Sequence, residues 1–206
     1  MNIFEKITIV LLHPVHFFKK VKQEKGIRAA FLYFVLIALF GAIMGTFMQF
    51  VTRPITESLI KQFFGITIPA ASFSIGMTIF FAFIGYLFLI AFSFVFTAIV
   101  YVWLLIFGGK QQYVKTYQLV VYSSTPYFLL SWIPFVSFFA WIYNVALLII
   151  GTQEFYKFSR TKSILLYVIP LAVFIILMAL VLVALILVIK QNPQLFAQAM
   201  NGQAAP

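Results

Sequence analysis

The spacing of charges constrains this chain more than any other feature. Arg28 and Arg53 enclose 24 uncharged residues, Lys61 and Lys110 enclose 48, Lys115 and Glu154 enclose 38, and Lys162 and Lys190 enclose 27. A helix needs about 20 mostly apolar residues to cross a hydrocarbon core of about 30 Å. Every run meets that length. A water-soluble globule is excluded, because 64% of the residues are hydrophobic and 9% are charged, too few charges to cover such a core. Disorder is excluded by the 27 Phe and by a mean hydropathy of +1.10. The pattern predicts an all-α integral membrane protein.

The first and last runs hold one helix each, at 28–51 and 164–189. The 48-residue run opens on the turn residues Gly65, Ile66, Thr67, Ile68 and Pro69, so its span is placed at 72–107. Such a helix is roughly 50 Å long at ~1.5 Å per residue, an excess that tilt, a bend near Gly85 or projection past the membrane absorbs. Ser131-Trp132-Ile133-Pro134 divides the 38-residue run into spans at 116–132 and 135–152. The total is five. With the N-terminus inside, five spans put 11 Lys and Arg inside and 3 outside, whereas merging the hairpin gives 9 and 5. The positive-inside rule therefore favours five spans, N-terminus cytoplasmic and C-terminus outside, in the cell membrane. The domains expected are a cytoplasmic amphipathic basic segment at 1–26, a membrane domain at 27–190 and a disordered tail at 191–206. Neither a cleavable signal peptide nor an internal repeat is expected.

The inventory removes most chemistry. There is no Cys and no Asp, and the acids are Glu5, Glu24, Glu57 and Glu154. His13 and His16 both precede the first span. No catalytic arrangement can be assembled within the spans, so the reading is no enzyme and no cofactor. The two histidines lie three apart, but Pro14 separates them and no third ligand has a usable spacing, so no metal is expected. No nucleic-acid partner is expected either.

Three stretches stand out. Pro14-Val15-His16-Phe17-Phe18 precedes the first span. Phe107-Gly108-Gly109-Lys110 closes the second, followed by Tyr113, Thr116 and Tyr117. Tyr122-Ser123-Ser124-Thr125-Pro126 then leads to Trp132-Ile133-Pro134. In this order within a five-span charge pattern, over about 13–189, the chain resembles the Yip family. The eukaryotic members of that family bind Rab-type small GTPases and act in vesicle traffic. Where they carry a longer N-terminal region with an Asp-Leu-Trp-Gly-Pro-like sequence, this chain has a short basic segment, and its Pro14–Phe18 stretch is similar to the Pro-x-x-Phe-Phe before the first span of prokaryotic relatives. The resemblance implies a non-enzymatic protein that works through interaction, and a small GTPase as partner by analogy alone.

Lys19, Lys20, Lys22, Lys25 and Arg28 form a basic cluster against the first span. It serves as a topology signal and as a candidate site for anionic phospholipid, at about 1 kcal/mol per basic residue near the surface. Ile3, Phe4, Ile7, Val10 and Leu11 make a helical stripe, as do Phe17, Phe18 and Val21, with Pro14 opening a second helix and Gly26 closing it. Such helices dock in the membrane interface or pack on the protein's own spans, and interfacial docking is the expectation. Gly41 and Gly45 are a close-packing pair, for contacts within the monomer or for a homo-oligomer seam. Ser123, Ser124 and Thr125 beside Pro126 predict a kink whose hydroxyls satisfy freed carbonyls, or else a polar pocket with Asn144. The functional expectation is a scaffold that organises lipid or recruits partners at the cytoplasmic face. The alternative is a small channel or transporter for a neutral solute along Ser123, Thr125 and Asn144.

Overall fold

A computed structural model describes residues 1–65 and 74–191, and within them the regular elements are all helices. The turn expected at 66–69, the start of the second span at 72 and the tail from 192 lie outside the described residues.

Helix α1 (Ile3–Leu12) starts where the Asn2 side chain accepts the Phe4 amide at 2.9 Å, which satisfies one orphan donor of the first turn. Pro14 opens α2 (Pro14–Val21) at its first position, where its missing N–H costs nothing. Gly26, at φ 77°, turns the chain toward α3 (Arg28–Phe64). Then follow α4 (Ile75–Ile106), α5 (Tyr113–Ser123), α6 (Thr125–Leu130), α7 (Val136–Tyr156) and α8 (Arg160–Gln191).

Four of these, α3, α4, α7 and α8, are long and apolar enough to cross a membrane. The segment expected as one span at 116–132 differs: α5 and α6 are separate helices that meet at Ser124. Pro126 is the physical reason. It offers no N–H to the Tyr122 carbonyl, which instead accepts from the Thr125 hydroxyl at 2.7 Å, while the Ser124 hydroxyl donates to the Val121 carbonyl at 2.8 Å. Nearby hydroxyls are what make a proline tolerable at such a place.

The chain divides into two units, one of residues 1–50 and 75–167, the other of the described parts of 51–74 and 168–206. In the first, α2, α5 and α6 all pack on α7, and α4 packs on α5. Lipid-embedded helices have no hydrophobic drive toward one another, so close approach has to supply the attraction. Gly151 of α7 allows it, because a Cβ there would collide with Leu119 of α5 and meet the Phe18 ring of α2. Gly108 and Gly109 are needed for two different reasons. Gly108, at φ 82°, ends α4, with the Gly109 amide bonded to the Leu104 carbonyl at 2.9 Å, a Schellman ending. At Gly109 a Cβ would sit 2.8 Å from the Tyr156 ring.

Within the second unit, Arg53 and Glu57 pair at 2.6 Å one turn apart. Large apolar side chains of α8 such as Phe174 and Leu185 are exposed, as on a helix that faces lipid.

The two glycines of α3 separate. A Cβ at Gly41 would lie 2.8 Å from the Phe128 carbonyl oxygen of α6, whereas one at Gly45 meets nothing within 4 Å among the described residues. Gly41→Ala should therefore destabilise the protein by about 1–3 kcal/mol through overpacking. Gly45→Ala should be neutral, or stabilising by up to ~1 kcal/mol from helix propensity. Circular-dichroism melts of both variants in detergent check the contrast.

Candidate functional site

One side of α5, continued into α6, is polar. Lys115, Gln118, Tyr122 and Thr125 recur at intervals of three and four, so they share a helical face. The first three hold the chain that leads into α3, and Thr125 holds α3 itself. The Lys115 ammonium donates to the carbonyls of Lys22 and Glu24 at 2.8 and 2.6 Å. The Gln118 amide donates to the Gly26 carbonyl at 2.8 Å, and the Tyr122 hydroxyl donates to the Glu24 carboxylate at 2.7 Å. The Thr125 proton is engaged by the Tyr122 carbonyl, so the Tyr33 hydroxyl donates to Thr125 Oγ1, at 2.8 Å.

Lys6 completes the cluster from α1. It is 6% exposed, with its ammonium 2.7 Å from Glu24 Oε1 and donating to the Tyr122 hydroxyl at 2.8 Å. The same ammonium lies 4.9 Å from the centre of the Tyr122 ring. A buried ammonium requires such partners, since desolvation alone costs several kcal/mol per ion.

Basic side chains surround this cluster, and they are not equivalent. Lys19, Lys25, Arg28 and Lys110 are exposed. Lys20 reaches Glu5 at 3.5 Å with both side chains about half exposed, a pair of little weight. Lys22 donates to the Glu154 carbonyl at 2.9 Å. Burial and the charge of Lys157 push the Lys22 pKa below the ordinary lysine value, against the pull of Glu154. Of the five residues read as one basic cluster, Lys19, Lys25 and Arg28 face outward, Lys20 is loosely tied, and Lys22 fastens α2 to α7.

The stripe of Phe17, Phe18 and Val21, expected in the lipid interface, is buried on the protein itself. Phe17 stands edge-on to Tyr122 with ring centres 5.1 Å apart, and Phe18 edge-on to Phe155 at 5.7 Å. Gly151 provides the seat that makes protein the better cover. The first and third conspicuous stretches thus meet where Phe17 stands on Tyr122, while Phe18 and Gly109 seat on Gly151 and Tyr156 of α7.

The remaining candidates take different places. Ser123 is buried and its hydroxyl, like the buried Asn144 Oδ1, has no hydrogen-bond partner among the described residues. Pro134 begins a γ-turn in which the Val136 amide bonds the Pro134 carbonyl at 2.8 Å around Phe135, at φ 64°. His13 stands between α1 and α2 and His16 lies in α2, both exposed. Lys6, Glu24, Tyr33, Lys115, Gln118 and Gly151 had not been singled out. For Lys115, Gln118, Tyr122 and Thr125 the signal was available, a polar stripe in a segment otherwise read as a span.

A family model of the Yip1 domain matches residues 8–183, from within α1 into α8. No curated protein and no solved structure matches the chain. The family match takes in the docked N-terminal helices, the glycine ending of α4, the broken α5–α6 segment and the α7 that they pack on. The chain belongs to the Yip1-domain family of membrane proteins.

Proposed function

We propose that this Yip-family membrane protein is a non-enzymatic scaffold whose cytoplasmic face organises anionic phospholipid or recruits partner proteins. The observation that carries the reading is the division of charge at the Lys22 end of the first unit. Glu24 is turned inward by Lys6 and Tyr122, while Lys19, Lys25, Arg28, Lys110, Lys157 and Arg160 are exposed. An exposed basic surface beside apolar helices attracts anionic headgroups. The absence of Asp and Cys from the sequence supports a non-enzymatic role. A small-GTPase partner would follow from the family alone, and a homo-oligomer is compatible with the reading.

The topology proposed is five crossings in the cell membrane, N-terminus inside and C-terminus outside, with α5 and α6 together as the third. Tyr113–Leu130 would extend about 27 Å at ~1.5 Å per residue, close to the thickness of a hydrocarbon core. The chain has no cysteine, so introduced thiols report alone. Cysteines at Gln112 and Ser159 should be shielded from an impermeant maleimide in intact cells, and one at Glu57 should react. Labelling of Ser159→Cys from outside would remove the five-crossing reading.

For lipid, Lys19, Lys25 and Arg28 are the residues to neutralise, since changing Lys22 would also loosen α2. The Lys19→Gln, Lys25→Gln, Arg28→Gln variant should retain less anionic lipid than wild type on purification, with its melting temperature unchanged. Mass spectrometry of the co-purified lipid decides, and an unchanged anionic fraction leaves these residues as a topology signal only.

The second reading is a neutral-solute channel, favoured by the unpartnered polar atoms of Ser123 and Asn144. Sealed liposomes that swell in small neutral solutes with wild type, but not with Asn144→Leu, would displace the scaffold.

A further inference from the structure

Helix α2 runs along α7 rather than over its end. Near Tyr156, the Lys22 ammonium meets the Glu154 carbonyl at 2.9 Å and the Phe18 ring covers Gly151. Farther along, the Tyr143 hydroxyl donates to the Leu11 carbonyl at 2.6 Å. Tyr143 lies about 20 Å from the Tyr156 end of α7 at ~1.5 Å per residue. Because α7 is long and apolar enough to cross a membrane, the turn at His13 stands at the depth of hydrocarbon.

We propose that α1 and α2 form a re-entrant hairpin that enters the bilayer from the Lys22 end, turns at His13 within one leaflet, and has its outer side covered by lipid acyl chains. Two independent observations support this. Residues 7–18 contain no Asp, Glu, Lys or Arg, and an apolar stretch of roughly 10–14 residues has the length of a re-entrant segment. Each uncharged arm rises about 9 Å, within a single leaflet of about 15 Å. Beside the exposed, uncharged Thr8 and the exposed histidines His13 and His16 near the turn, apolar side chains stand open on the outer side, Phe4 at 77% and Leu12 at 67% exposure. Acyl chains are the neighbours that satisfy such surface at this depth.

The charges agree with the placement. Lys6 is bound by Glu24 and Tyr122 on the inner side, as an ionisable group within a membrane must be. Glu5 and Lys20 pair across the two arms near their root, and Lys19 and Lys25 are placed to extend to headgroups. The proposal rests on membership of a membrane-protein family and on helix packing, so it stands or falls separately from the scaffold reading.

The test uses the full chain with single cysteines at Leu12, Val15, Gln23 or Lys25, each labelled with bimane and reconstituted into phosphatidylcholine vesicles brominated at mid-chain. Bimane at Leu12 and Val15 should be quenched several-fold more than at Gln23 and Lys25. The Leu12 thiol should also react several-fold more slowly with an aqueous maleimide than the Gln23 thiol. Equal quenching at all four positions overturns the proposal. So does slow maleimide reaction at Leu12 without lipid quenching, the result expected if a second copy of the chain covers this side. Leu12 is largely exposed, so its replacement removes little packing, and Thr8→Cys, also exposed, serves if either reporter fails to reconstitute.

Discussion

Replacing Glu24 by Leu should destabilise the protein by about 2–3 kcal/mol, below the ~3–5 kcal/mol of a fully buried pair because the Glu24 side chain is 24% exposed while that of Lys6 is 7% exposed. Lys6 is the partner left behind. It is 6% exposed, and without Glu24 its ammonium keeps, among the described residues, the Tyr122 hydroxyl at 2.8 Å and the face of the Tyr122 ring. The Lys115 contact to the Glu24 carbonyl survives, because it involves backbone. Adding Lys6→Met should recover most of the loss, since an apolar pair of similar volume is often as stable as a buried ion pair. Thermal unfolding of wild type, both single variants and the double in one detergent closes the cycle. A loss below ~1 kcal/mol in Glu24→Leu, the scale of an exposed pair, would show that Lys6 is not held in a dry site.

Gly151→Leu should have an effect of similar size by a different route. A Cβ alone collides with Leu119 and sits 2.9 Å from the Phe18 ring, and overpacking typically costs about 1–3 kcal/mol or more. Phe18 is the part of this clash that belongs to α2, so relief there should lift α2 from α7 and expose the lysines that follow. Trypsin should cut after Lys22 and Lys25 much faster in Gly151→Leu than in wild type, and adding Phe18→Ala should slow that cleavage again. Unchanged cleavage in Gly151→Leu would mean that α2 is not seated on this glycine.

These two residues also show where the sequence was legible and where it was not. The runs between charges marked α3, α4, α7 and α8, because a hydrocarbon core imposes length and apolarity, and both are written in composition. Pro126 with its hydroxyl neighbours announced the interruption between α5 and α6, although a single helix was expected there. Phe17, Phe18 and Val21 were legible as a stripe, but periodicity says that a face is covered and never by what. Gly151, the residue that decides it, lies 133 positions after Phe18. The interior cluster was harder still. Lys115 and Gln118 bind backbone carbonyls, which every residue possesses, so nothing in their partners' side chains betrays the contact. Lys22 looked like its neighbours Lys19, Lys20 and Lys25 until its carbonyl partner on α7 was in view.

The docked hairpin has a history imposed by the ribosome. Tyr122 follows Lys6 by 116 positions, and Glu154 follows Lys22 by 132. At about 5–20 residues per second, the first two helices exist for on the order of ten seconds before the surfaces that receive them are made. Lys6 and Glu24 can meet at once, but Phe17 and Phe18 have no seat until α5 and α7 arrive. A chain that stalls after α4 therefore displays two unclaimed aromatic rings beside an ion pair that still lacks the Tyr122 hydroxyl.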